Sequence, residues 1–154
     1  MSGIFESNLA KIGVTLPDAP APAANYVPTV RTGNTVYVSG QISMKDGAFA
    51  IGKLGDTISI EEGAACARSC AISLLAQVKA ACDGDLDRLV RVVKLVGFVN
   101  STPDFDQQPA VINGASDFMV EALGDAGLHA RSAVSAASLP FGVVVEIEGI
   151  FEIK

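Results

Sequence analysis

Several things are scarce in this 154-residue chain, and each scarcity closes off a class of protein. There is one histidine, His129, and there are three cysteines, Cys66, Cys70 and Cys82, all inside one predicted helix. An odd number of cysteines in one segment does not build a disulfide framework and suggests a reducing compartment. Cys66 and Cys70 stand four apart and share a helix face, but without a second cysteine pair or more histidine they read as small packing residues, so no metal is expected. No run reaches the roughly 18 consecutive apolar residues of a membrane span. The first residues, MSGIFESNLAKIG, lack a basic stretch followed by a continuous apolar one. The expectation is a cytoplasmic protein with no membrane partner. Basic residues are also few, 11 Lys and Arg against 17 Asp and Glu, for a net charge of −6. That leaves no broad basic surface and makes nucleic acid an unfavoured partner. Arg88, Arg91 and Lys94 form the one basic cluster, and they alternate with aliphatics as a solvated strand edge would.

What is present reads as a single globular domain. Hydrophobic residues make up 49% of the chain and charged residues 18%, enough for one sizeable core. Residues 1–22 read as an arm: a short amphipathic helix over 4–12, then the proline-punctuated LPDAPAPAANY. The arm is expected to pack across a neighbouring copy. The domain occupies 23–154. YVPTVRTGNTVYVSGQIS reads as two strands joined by a turn at Gly33-Asn34. Residues 43–57 read as loop, with a short strand around Phe49 and Ile51. Ser59 and Glu62 make a Ser-x-x-Glu capping box that opens a helix to about Cys82. A strand follows from about Leu89 to Asn100, then a helix from about Gln107 to Leu123 stopped by Gly124. The order predicts an α+β fold, a mixed sheet with two helices packed on one face. The strands are apolar on both sides, with Val36, Val38, Leu95, Val134 and Ile150 spread over the two faces. A sheet like that calls for a partner, and self-association into a closed oligomer is the simplest one.

The last 26 residues carry the candidate chemistry. HARSAVSAASL reads as a strand in which Arg131 has small neighbours; it turns at Pro140 and Gly142 into VVVEIEGIFEI. Side chains alternate along a strand. Val143, Val145, Ile147, Phe151 and Ile153 therefore share an oily face, while Glu146, Glu148 and Glu152 look the other way. Two readings of Arg131 and Glu146, expected on paired strands, stay open at this level. They form a structural ion pair that fixes register, or Arg131 is kept for a ligand carboxylate, which its guanidinium matches with paired donors, and Glu146 is free for acid–base work.

ARSAVSAASLPFGVVVEIEGIFEI is similar to the C-terminal signature of the RidA/YjgF family of reactive imine deaminases, approximately A-R-S-x-V, a Leu-Pro turn, then V-E-I-E-A-I. NTVYVSGQIS looks like that family's hairpin ending in Ser-Gly-Gln, and VINGASDFM resembles its second helix. The resemblance runs from about Tyr26 to Lys154. It implies a chorismate-mutase-like fold and a homotrimer with a central barrel-like core and ligand clefts between subunits. By position, it implies that Arg131 binds the substrate carboxylate and Glu146 handles water. Ser39 and Gly40 line the cleft, Tyr26 closes one side, and Asn113 supports it. Ala133 stands where the best-known branch has a cysteine, leaving its backbone N–H. The reaction implied is hydrolysis of 2-imino or enamino acids to 2-oxo acids and ammonia, with no cofactor. Two other readings remain beside it: a noncatalytic trimer that binds a small carboxylate-bearing metabolite, and an endoribonuclease or translation inhibitor, the family's older label. The acidic charge and single histidine speak against the last.

Overall fold

A computed structural model describes Gly3 to Lys154; Met1 and Ser2, the start of the expected arm, lie outside the described residues. The hairpin forms where its turn residues demand it. Gly33 adopts φ +57° between Thr29–Thr32 (β1) and Thr35–Ile42 (β2), and Thr32 pairs with Thr35. A second, much smaller hairpin occupies part of the expected loop. Asp46 and Gly47, at φ +51° and +79°, join Met44–Lys45 (β3) to Ala48–Phe49 (β4). Asp-Gly with both residues left-handed is the tight-hairpin signal, faint in the sequence because the flanking strands are only two residues long.

Both expected long helices form. Ser59 caps Ile60–Ala81 (the second helix, α2): its hydroxyl accepts from Glu62 N–H at 3.1 Å, and Glu62 Oε2 accepts from Ser59 N–H at 2.8 Å. The same bonds hold the Glu62 carboxyl below its ordinary pKa. Leu89–Asn100 (β5) leads into Gln108–Leu123 (α3), which ends at Gly124 with φ +60°. Helices α2 and α3 pack against each other so closely that a Cβ on Gly114 would overlap the Ala64 carbonyl. The fully buried Ala67, Ala71, Leu74, Val78, Val111, Ile112 and Phe118 face Val36, Leu95, Ile147 and Phe151 of the sheet. A third helix, Ile4–Lys11 (α1), is also present. It docks on its own chain. Leu9 is buried, Asn8 Nδ2 donates to Ala122 O at 3.2 Å, and the Asp87 carboxylate accepts from Ile4 and Phe5 N–H at 2.8 and 3.0 Å.

Ala130–Ala136 (β6) and Val145–Ile153 (β7) complete a five-stranded mixed sheet in the order β1-β2-β7-β5-β6. Neighbours are antiparallel except β5 and β6, which are parallel and joined through α3. The expected pairing of the Arg131 strand with the Glu146 strand does not occur, because β5 lies between them. Residues 137–144 cross the end of β5 instead of folding back as a hairpin. Asn100 fixes that crossing: its N–H donates to Val144 O and its Nδ2 to Val143 O, while Lys53 Nζ bridges Asn100 Oδ1 (2.7 Å) and Ala137 O (2.5 Å). The sheet face opposite the helices stays open. Val36, Val38 and Leu95 are buried under the helices, while Val134 and Ile150 lie on the open side with Tyr37, Val96 and Phe98.

Candidate active site: two half-sites on one chain

Strand register separates the two candidate residues. Arg131 pairs with Leu95, which pairs with Gly149, whereas Glu146 pairs with Phe98. The two residues are thus two strands and three positions apart, on the order of 14 Å between Cα atoms at normal strand spacing. They also belong to opposite faces. Leu95 is buried beneath the helices and directly paired residues point the same way, so Arg131 is on the helix side. Glu146 alternates with the buried Val145 and Ile147 and falls on the open side. A register-fixing ion pair within one chain is therefore ruled out, and among the described residues Arg131 has no carboxylate partner.

Glu146 opens onto a cleft of about 640 Å3 whose lining includes Tyr26, Ser39, Gly40 and Phe141. Between Val38 and Gln41 the pairing of β2 with β7 shifts, leaving Ser39 and Gly40 bulged. Bulges re-aim strand residues next to sites. Gln41 Nε2 donates to the Ser39 carbonyl at 2.9 Å, and Ser39 Oγ donates to Val27 O at 2.8 Å, which fixes the bulge and the segment after Tyr26. Glycine at position 40 leaves the carboxylate its place: a Cβ would overlap Glu146 Oε1 and stand 3.0 Å from its Cδ. Partial burial raises the Glu146 pKa, and the Glu148 carboxylate adds to the shift. A carboxylate held near a bulged strand with a raised pKa suits proton transfer.

Arg131, Asn113 and Ala133 lie elsewhere, at the β6–α3 edge. Arg131 Nη1 donates to Ser116 Oγ at 3.0 Å and Nη2 donates to Pro109 O at 3.4 Å. Asn113, exposed, stands between those two α3 positions on the same helical stripe. Ala133 pairs with Gly97 and packs on the edge of the core. Ser116 also bonds His129 Nε2 at 2.9 Å, and His129 Nδ1 is 2.6 Å from Gly127 O. Since a carbonyl only accepts and a guanidinium only donates, the pattern has one solution for a neutral imidazole. The Nδ1 of His129 carries the proton, Ser116 donates its hydroxyl hydrogen to Nε2, and the Ser116 oxygen accepts from Arg131. His129 and Ser116 thus orient the guanidinium. Ser116 was missed in the sequence, although Pro109, Asn113 and Ser116 fall at i, i+4 and i+7, a single stripe facing Arg131.

The family described as Endoribonuclease L-PSP matches residues 16–153, and the chain belongs to it, the RidA/YjgF family. The chain is 47% identical to Protein TCP17 of Trypanosoma cruzi over 155 residues, covering 99% of this chain and 96% of that protein. It is 30% identical to the 2-iminobutanoate/2-iminopropanoate deaminase of Dermatophagoides farinae, over 92% of this chain and 95% of the relative. Among solved structures, the protein Atu1372 of Agrobacterium tumefaciens, described as of unknown function, is similar with a TM-score of 0.90 and 48% identity, over 97% of this chain and 92% of that one. The family thus includes imine deaminases.

Proposed function

We propose that this protein hydrolyses reactive 2-imino or enamino acids to 2-oxo acids and ammonia, at sites completed by a second copy of the chain. One observation carries the reading: each half-site lacks what the other holds. The Glu146 carboxylate faces a cleft with only upward influences on its pKa, and Arg131 presents a guanidinium with no carboxylate to neutralise it. Because the halves sit on different strands and opposite faces of the sheet, the contact joining them is head to tail, and head-to-tail contacts that close make rings. A homotrimer is the ring the family resemblance implies. It also buries the open sheet face with Tyr37 (48% exposed) and Val134 (46%).

In such a seam, Arg131 of one copy takes the substrate carboxylate through two charge-assisted hydrogen bonds, with Asn113 beside it. The imine carbon lies over Glu146 of its neighbour. Water adds to the C=N carbon as Glu146 takes its proton and passes it to the nitrogen, giving a neutral carbinolamine with the carboxylate restored. Glu146 then takes the carbinolamine hydroxyl proton as C=O forms and delivers it to the nitrogen as the C–N bond breaks, so that ammonia leaves and the carboxylate is regenerated. Free imines hydrolyse on their own, so anchoring and one acid–base group suffice. Ser39 and Gly40 supply the wall against which the reacting carbon is held, and the Ala133 N–H remains available at the Arg131 side. No cofactor enters this chemistry.

The test is 2-oxo acid formation from imines generated by an amino-acid oxidase. Purified protein accelerates it and Arg131→Ala abolishes the acceleration; an unchanged rate in that variant refutes the assignment. Tight 2-oxo acid binding without turnover would instead mark a carboxylate-binding protein. Ribonuclease chemistry draws little support, since His129 is already engaged with Ser116 and Gly127 and the chain carries net charge −6.

A further inference from the structure

The proposed function leaves the substrate's side chain unspecified, and the cleft that Glu146 faces has an apolar lining as well. Part of its wall is the proline-punctuated arm, Pro20 to Ala24, which contributes methyl and pyrrolidine surface. The arm is fastened at Pro20 and again upstream of it. Gln77, 2% exposed on α2, donates from Nε2 to Pro20 O at 2.7 Å, and upstream α1 is held by buried Leu9 and by Glu6 with Lys79 at 2.6 Å. A buried glutamine spending its donor on one loop carbonyl fixes that loop in place.

Facing the arm is an aromatic pair that folding alone does not require. Phe141 sits at φ +58°, a conformation that bulky L-residues rarely adopt, between Pro140 and Gly142. Its ring lies 5.2 Å from that of Phe49, tilted by 32°, and the two remain 59% and 44% exposed. Backbone strain that holds an exposed ring at a cleft is the kind of outlier that marks a ligand contact. The volume agrees. At about 640 Å3 the cleft falls within the roughly 300–1,000 Å3 that takes drug-sized ligands, and a three- or four-carbon imino acid would fill only part of it.

We propose that the cleft selects imines of bulky apolar amino acids, with the substrate side chain lying between the arm and the Phe49–Phe141 pair while its carboxylate and imine carbon engage Arg131 and Glu146. This rests on the deaminase reading for turnover but on the cleft alone for binding. Burying apolar surface favours binding by roughly fourfold per methylene. A side chain three carbons longer than a methyl group therefore gains on the order of tens of fold.

Two measurements on the full-length protein test it: kcat/KM on oxidase-generated imines of phenylalanine, leucine and alanine, and calorimetric affinity for phenylpyruvate against pyruvate. The expected result is a preference of about tenfold or more for the bulky compounds in both. Phe49→Ala and Phe141→Gly each bring the ratio toward one. Phe141→Gly removes the ring while relieving the positive φ, so a lost preference in that variant is not a folding failure. Equal or better activity on the alanine-derived imine, or a preference that survives both substitutions, overturns the proposal and leaves the deaminase reading intact. Phe49-dependent binding of phenylpyruvate without turnover of any imine supports the side-chain pocket and refutes the deaminase reading. No binding and no turnover refutes both.

Discussion

Gly40→Ala separates the position of Glu146 from its presence. No positive φ protects Gly40, so alanine suits its backbone, and the cost of a side chain comes from one neighbour. The added Cβ would overlap Glu146 Oε1 and approach its Cδ and Cγ to 3.0 and 3.1 Å. Those atoms are the far end of a flexible chain. They swing away by about 1 Å or more at little cost, and the fold loses under about 1 kcal/mol. For a chain of this length that is a fall in Tm of roughly 2–4 °C at most. The reaction is less forgiving, because misplacing a reacting group by about 1 Å costs on the order of a hundredfold in rate. Imine hydrolysis by the variant, followed as 2-oxo acid formation with the spontaneous rate subtracted, is expected to drop about a hundredfold. Calorimetry is expected to show a nearly unchanged transition. Turnover within about threefold of the parent would refute the role assigned to Glu146, since the carboxylate would have moved without consequence.

The pH dependence follows from the raised Glu146 pKa, caused first by burial and then by Glu148. On the proposed reading Glu146 is a base that works ionised, so activity is expected to be lost on acidification at a pH above the ordinary carboxylate range, and Glu148→Gln to move that limb of the pH–rate profile downward; a limb lying within the ordinary carboxylate range would contradict Glu146 as the titrating group. Stability runs the other way. A carboxyl whose folded pKa lies above its unfolded one contributes stability below the unfolded value, and this is lost as pH rises through the folded value. Glu146→Gln is therefore expected to be inactive yet to melt higher than the parent at neutral pH, with the difference closing below about pH 4. Ser116→Ala removes the hydroxyl between Arg131 and His129 and is expected to raise KM by about tenfold, the scale of one bond to a charged group, while kcat changes less. An equal loss in kcat with KM unchanged would contradict a carboxylate-anchoring role for Arg131.

Much of the fold was legible because local signals agreed with the global one. The Gly33-Asn34 turn, the Ser59–Glu62 capping box and the Gly124 stop each set an element boundary that the structure reproduces. The alternation along β7 assigned Glu146 to the face opposite Val145 and Ile147 correctly. Strand adjacency was not legible. Pro140 and Gly142 look like a hairpin turn, and nothing local says that Asn100 and Lys53 hold residues 137–144 across the end of β5. The expected neighbours, Arg131 and Glu146, consequently fall on opposite faces. The site was legible as residue types and not as geometry. Tyr26, Ser39, Gly40 and Glu146 meet in one cleft, Arg131, Asn113 and Ala133 do not join them, and the roles of Ser116, Gln77 and Phe141 depend on contacts between segments far apart in sequence.

The most direct test of a site shared between copies uses two dead variants. Arg131→Ala keeps Glu146, and Glu146→Gln keeps Arg131; each alone is expected to be inactive. Unfolded together in equal amounts and refolded, they form mixed rings in which about a quarter of the seams pair an intact Arg131 with an intact Glu146. Activity is predicted to return to about a quarter of the parent's. Mixed rings that are shown to form but stay inactive would contradict the account, because the two residues would then have to act from one and the same chain.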